Sequence, residues 1–215
     1  AERRLAVLRP LKVVIENFPE DKTEWLEAVN NPNSSKQELR KIPFSREIWI
    51  EQDDFMEEPP NKFFRLAPGK EVRLRYAFFI TCNDLIKDKG GNLVELRCSY
   101  DPETRGGNAP DGRKVKGTIH WVSVQHAKDA EVRIYNSFYN SPTPGRDRDF
   151  IDDINPNSLE VLTNCKIEPD LLTLDETTPI QFERLGYFYK DLDSRPDLPV
   201  YNRTISLRDT WNKKA

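Results

Sequence analysis

Apolar and polar residues alternate at every second position in short runs along this chain, and that period most limits its fold. A strand sends successive side chains to opposite faces, so each run buries one face and wets the other. LKVVIENF (11–18) brings Leu11, Val13 and Ile15 together, and NLVELRCSY (92–100) does the same for Val94, Leu96, Cys98 and Tyr100. GKEVRLRYAFFI (69–80) reads as one strand, with Val72, Leu74 and Tyr76 on one face and Arg73 and Arg75 on the other. KVKGTIHWVSV (114–124), EVRIYNSF (131–138), FERLGYFYKD (182–191) and YNRTISLRDTW (201–211) continue the series. Sixteen prolines and nine glycines, well scattered, keep these elements short. The expectation is an all-β arrangement of small barrels or a sandwich, with under about a fifth of residues in helix. SREIWIEQDD (45–54) fits a helix capped by Ser45 or a strand through Ile48, Trp49 and Ile50, and 147–162 has room for one or two helical turns broken at Pro156.

The glycine- and proline-rich stretch DPETRGGNAPDGRKVKG (101–117) is the expected divide. It gives a first unit over 1–105 and a second over 106–215, with the option that C-terminal strands return to the first. No internal repeat is visible beyond the shared rhythm of strand and turn. The direct opening on charged, strand-like sequence at Ala1 reads as a piece cut from a longer polypeptide. No segment approaches 18 apolar residues in a row, so no membrane-spanning helix is expected. Cys82, Cys98 and Cys165, odd in number and far apart, read as free thiols of a reducing cytoplasm.

Catalytic signatures are missing from the sequence. It holds no P-loop, no GxGxxG and no GxSxG, and its two histidines, His120 and His126, stand at no motif spacing from a nucleophile. Neither they nor the cysteines form a zinc pattern, and Asp147, Asp149, Asp152 and Asp153 lack the glycine and terminal glutamate of a calcium loop. The residues fit a binding module. With 36 acidic against 33 basic side chains there is no global pull on a polyanion, so a nucleic-acid site must be local. Bases do gather: Arg3, Arg4, Arg9 and Lys12; then Lys62, Arg65, Lys70, Arg73 and Arg75; then Arg113, Lys114 and Lys116. Acids gather elsewhere, in 51–58 and 147–153. Guanidinium forks suit phosphates and base edges, and Tyr76, Tyr135 and Trp121 are candidate stacking surfaces. Trp121 shares a face with Val115 and Ile119, opposite Lys116 and His120, which points instead to the core of the second barrel.

PLKVVIENFP, IPFSREIWIEQDDF, GKEVRLRYAFFI, DGRKVKGTIHWVS and NRTISLRDTW, in this order from about residue 3 to about residue 212, closely resemble the C-terminal, anticodon-binding region of the glutaminyl-tRNA synthetases. The resemblance implies two antiparallel β-barrels with interleaved connectivity, related to a ribosomal protein that binds 5S RNA. It implies tRNA(Gln), through its anticodon loop, as partner, and an N-terminal catalytic domain of the same polypeptide as neighbour. The parent would join glutamine to tRNA using ATP with Mg²⁺, while this piece would hold no cofactor and no activity of its own. The related glutamyl enzymes are the nearest alternative, and a protein-docking β-barrel with its arginines held by the acids of 51–58 is the other.

The same resemblance implies site residues. Arg3 and Gln181 match residues that hold the central anticodon uridine, with Glu183 and Arg184 beside them. Arg73 and Arg75 match arginines that attend the first base, Arg65 one that grips the third, and Pro32-Asn33 a turn near the loop. Where the family carries Lys-Arg this chain has Phe64-Arg65, which leaves the lysine's role lost or supplied by Lys62. Strand alternation turns Arg184 away from Gln181 and Glu183, so a structural salt bridge is its other reading. Arg4 is expected as a phosphate contact or plain surface.

Overall fold

The alternating runs become strands, and the outcome is all-β. A computed structural model describes residues 1–36 and 38–207. Its strands are β1 (Glu2–Arg4), β2 (Ala6–Val7), β3 (Pro10–Ile15), β4 (Glu24–Val29), β5 (Leu39–Phe44), β6 (Glu47–Glu51), β7 (Glu71–Leu74) and β8 (Phe79–Lys87). They continue as β9 (Leu93–Asp101), β10 (Thr118–Ile119), β11 (Val122–Ser123), β12 (Lys128–Tyr135), β13 (Leu159–Ile167), β14 (Ile180–Phe182), β15 (Gly186–Lys190) and β16 (Val200–Ser206). Among the described residues the only helical turns are four short 3-10 segments, at Gln52–Asp54, Pro102–Thr104, Phe150–Asp153 and Pro169–Thr173. The run 45–54 takes its strand alternative as β6. The run 201–211 is strand to Ser206, and residues 208–211 of it lie outside the described residues.

Two seven-stranded sheets form, in the orders β10-β7-β8-β9-β3-β6-β11 and β1-β14-β15-β16-β12-β13-β2. Neither is antiparallel, which corrects the expectation of two antiparallel barrels. In the first, β10–β7 and β9–β3 pair in parallel, and in the second β1–β14 and β16–β12 do. A parallel neighbour needs a long crossover rather than a hairpin, and the elements lying between β3 and β9 and between β12 and β16 supply it. The first sheet curls into a near-closed barrel around the larger core, with Val13, Ile15, Phe44, Leu74, Leu96 and Trp121 inside. The second is an open half-barrel over a smaller core that includes Val132, Phe182, Phe188 and Tyr201.

The two sheets repeat one plan that the sequence does not display. Each is a three-strand meander (β7-β8-β9 or β14-β15-β16) joined in parallel to an antiparallel pair (β3-β6 or β12-β13), with two very short strands at its margins. The N-terminal run 2–7 supplies both margins of the second sheet, and 118–123 supplies both margins of the first. Interleaving therefore comes from the N-terminal strands entering the second sheet. Trp121 is buried as expected, but in the first core: its ring meets Phe44 edge-on at 5.1 Å, beside Phe18 and Phe78.

The run 69–80 is not one strand. β7 stops at Leu74 and the chain reverses over 75–78, with the Ala77 amide donating to the Leu74 carbonyl and Tyr76 at φ +65°. Tyr76 thus leaves the face of Val72 and Leu74, and Arg75 sits beyond the strand end. The indole N–H of Trp121 donates to the Arg75 carbonyl at 2.9 Å, pinning this turn to the core.

Candidate nucleic-acid interface

The 75–78 turn of the first sheet meets the second just past the end of β14, and Glu183 is the junction. The residue is only 6% exposed, and its carboxylate accepts the Tyr76 hydroxyl at 2.9 Å and faces Arg75 Nη2 at 3.5 Å and Arg3 Nη1 at 3.9 Å. Two guanidinium groups share one carboxylate, so the cluster keeps a net positive charge for an incoming anion. Burial, then the Glu183 charge, pushes the Tyr76 phenol above its usual range, so it remains a donor at neutral pH. Arg3 and Gln181 are register partners on β1 and β14, and Gln181 is opposite Tyr187 on β15. Ile180 and Phe182 are buried, which turns Gln181 outward, and its side-chain amide makes no hydrogen bond with any described residue. The Arg3 amide donates to the Asn30 carbonyl at 2.7 Å, tying β1 to the β4–β5 hairpin whose exposed tip carries Pro32 and Asn33. There the Asn33 amide is held by Asn31 Oδ1 at 3.1 Å.

Arg65 and Arg184 converge elsewhere, on buried Asp54. Arg184 forks both carboxylate oxygens at 2.6 and 2.7 Å, while Arg65 donates to the Asp53 carbonyl at 2.7 Å and leaves Nε 3.5 Å from Asp54. Arg184 Nη1 also lies 3.1 Å from His120 Nδ1, and His120 Nε2 lies 3.4 Å from Glu51. A guanidinium only donates, so Nδ1 accepts and the imidazole proton sits on Nε2, facing Glu51. Glu51 in turn accepts the amides of Leu8 and Arg9 at 2.6 and 3.0 Å. The salt-bridge geometry of Arg184 makes it a strut between the sheets, with half-buried Arg65 beside it. Asp54, His120 and Glu51 carried no motif that singled them out.

Arg73 and Arg75, expected to meet one nucleotide, point to different places because of the 75–78 turn. Arg75 stacks on Tyr76 at 4.7 Å and belongs to the Glu183 cluster. Arg73 lies over the Phe79 ring at 5.8 Å, in a cavity of about 420 Å³ walled by the 107–115 loop. Near Phe64, the ammonium over the ring is that of Lys116, at 5.1 Å.

Arg4 corrects its expectation outright. It is 2% exposed and faces inward opposite Phe182. Its Nε lies 3.4 Å from Glu168 and 2.8 Å from Asp170 without hydrogen-bond alignment, and Nη1 donates to Glu2 and to the Arg3 carbonyl. Glu168 is gripped by a bidentate Arg40 at 2.6 and 3.0 Å. This network fastens β1 and the β4–β5 hairpin to the Pro169–Thr173 turn, so Arg4 positions its neighbour Arg3. Among the described residues no group of three or more His, Cys, Asp or Glu side chains is arranged to hold a metal ion.

Two family models match the chain, both described as tRNA synthetases class I (E and Q), anti-codon binding domain, one over residues 1–101 and one over 118–191. The glutamine–tRNA ligase of Bradyrhizobium diazoefficiens is 58% identical over 215 residues, covering 100% of this chain and 38% of the relative. Those of Pseudomonas putida and Clostridium kluyveri are 52% and 49% identical, each covering 98% of this chain and 38% of the relative. The chain thus spans 38% of the length of these curated relatives. With both models carrying one description and together covering most of the chain, the chain belongs to the anticodon-binding domain family of the class I (E and Q) tRNA synthetases.

Proposed function

We propose that this chain is the anticodon-reading part of a glutamine–tRNA ligase, and that the whole protein joins glutamine to tRNA(Gln) with ATP and Mg²⁺ in the cytoplasm, through a catalytic domain preceding this one. The observation that carries the reading is the Glu183 cluster. It brings Arg3, Gln181 and Arg75, far apart in sequence, to one outward-facing junction of the two sheets. Unpaired anticodon bases expose their Watson–Crick edges to side chains held on rigid elements. Gln181 offers an acceptor and a donor pair that suit the central uridine, while Arg3 and Arg75, oriented by Glu183, meet its edge and phosphate. Arg73 attends the first base, Arg65 the third, and Pro32-Asn33 borders the loop. A protein-docking role fits less well, because the acids of 51–58 engage Arg65 and Arg184 but neither Arg3, Arg73 nor Arg75.

The test is aminoacylation by the full-length protein. It should charge tRNA with glutamine and not glutamate, and lose kcat/KM when the central anticodon base is changed. Glutamate charging, or indifference to the anticodon, would contradict the proposal.

A further inference from the structure

Cys82 on β8 and Cys98 on β9 are register partners, and both are fully buried in the first core. The direction of their backbone groups fixes how close they stand. The Cys82 carbonyl accepts the Gly69 amide at 2.8 Å, and the Cys82 amide donates to the Lys70 carbonyl at 3.4 Å, so both groups turn toward the chain entering β7. The Cys98 carbonyl turns the other way and accepts the Glu16 amide, just past β3, at 2.8 Å. The two cysteines therefore exchange no backbone hydrogen bond. An antiparallel pair of this kind is the narrow one, with Cα atoms about 4.5 Å apart and both side chains on one face. Disulfides span Cα separations of about 4.4–6.8 Å, so the pair lies within bonding range, at its short end. The thiols already hydrogen-bond one another. That bond draws the Cys82 thiol below the ordinary range, and together with burial it pushes the Cys98 thiol above it. A β-bulge adjoins Cys82: the register slips between Cys82 and Asp84, leaving exposed Asn83 unpaired, so the ladder is interrupted beside this sulfur. Cys165 has none of these features. It lies in the second core, with Sγ 3.5 Å from the Leu8 and Leu162 carbonyls.

We propose that Cys82 and Cys98 form a reversible redox site, which a small hydroperoxide oxidises to a cross-strand disulfide inside the first barrel. With hydrogen peroxide, the Cys82 sulfur attacks one oxygen: an S–O bond forms, the O–O bond breaks, and the departing hydroxide takes up the Cys82 proton as water. The Cys98 sulfur then attacks the sulfenic sulfur. The S–S bond forms, the S–O bond breaks, and the second hydroxide leaves with the Cys98 proton as water. Two thiols thus give up two electrons, and one peroxide becomes two waters. Cys98 also has a protective part, because closing the disulfide removes the sulfenic acid before further peroxide converts it irreversibly to sulfinic acid. A disulfide at the short end of its span is strained and readily reduced, so a dithiol restores both thiols.

To test this, the folded chain would be treated with hydrogen peroxide, quenched with catalase, unfolded in guanidinium, alkylated, and mapped by mass spectrometry without reductant. Two of the three thiols should be lost, as a link between the peptides of Cys82 and Cys98 that dithiothreitol reverses, while Cys165 is recovered alkylated. Cys98→Ala should leave Cys82 as a dimedone-reactive sulfenic acid that passes on to sulfinic acid. Cys82→Ala should leave Cys98 unoxidised, and circular dichroism would check that both variants are folded. The result for the unmodified chain decides the proposal even if a variant fails to fold. Recovery of Cys82 and Cys98 as free thiols would overturn it. Oxidation of Cys165 as fast as theirs, or linkage only between separate chains, would overturn it equally.

Discussion

Replacing Trp121 probes how the core holds the candidate site. Its side chain is 1% exposed, so truncation removes nearly all the apolar area a tryptophan can bury, about 200 Å². At about 25 cal/mol per Å² that area is worth about 5 kcal/mol, an upper bound because unfolded chains already bury part of it. Large-to-small core substitutions of aromatic residues fall at about 3–5 kcal/mol, which is the expected cost of Trp121→Ala. Trp121→Phe separates two contributions. It keeps a ring against Phe44 but deletes the indole donor to the Arg75 carbonyl, a loss of about 1–3 kcal/mol if that carbonyl finds no other partner. The released turn carries Arg75 and Tyr76, so Trp121→Phe should also weaken RNA binding while the chain remains folded. Urea unfolding followed by far-ultraviolet circular dichroism reads the stability change from the midpoint at constant slope. An unchanged midpoint for Trp121→Ala would refute the packing argument. Unchanged RNA affinity for Trp121→Phe would refute the link from core to turn.

Asp54→Ala should destabilise the fold by about 1.5–3 kcal/mol in the same assay, since it removes a 1% exposed acceptor from Arg184 and Arg65, which water partly reaches, and a small change would show that the strut is dispensable. The Gly145 amide, followed by Arg148, holds the Asp153 carboxyl below its usual range. Its contribution is therefore present above the unfolded carboxylate pKa, near 4, and is lost as pH falls through the lower folded value; protection of the Gly145 amide, taken relative to its intrinsic exchange rate at each pH, should fall there, and Asp153→Asn should remove that fall. Burial pushes the Cys165 thiol up to about 12, whereas the hydrogen bond with Cys98 draws the Cys82 thiol down; all three are buried away from solvent, so iodoacetamide at pH 8 should spare them until the chain is unfolded. Rapid labelling of the native chain would contradict the buried placement.

Strand content was legible where one face had to be apolar. In β3 and β12 the inward residues are Val, Ile, Leu or Ala, and charged neighbours mark the outer face. The parallel joins were not legible, because the β9–β3 and β16–β12 pairings involve runs remote in sequence and neither run's alternation names its neighbour. The 75–78 reversal escaped notice for a local reason: Tyr76, not glycine, takes the positive φ there, and Glu183 and Arg75 hold its ring from outside. That one turn moved Tyr76 off its expected face and separated Arg75 from Arg73. Arg4 was misplaced because a short edge strand has an inward face too, and the carboxylates that make burial tolerable come from Glu168 and Asp170 in a distant turn. Resemblance pointed to Arg3 and Gln181, but their adjacency on β1 and β14 is a fact of the fold.

The central claim is that this junction reads the middle anticodon base, and a binding cycle tests it most directly. Affinities would be measured for the chain and for Gln181→Ala with a CUG stem-loop and with one altered only at the central base. The account predicts that the base change costs the unmodified chain on the order of 1–3 kcal/mol and costs Gln181→Ala much less, so that the two perturbations are strongly coupled. Equal penalties in both proteins would show that Gln181 does not read that base.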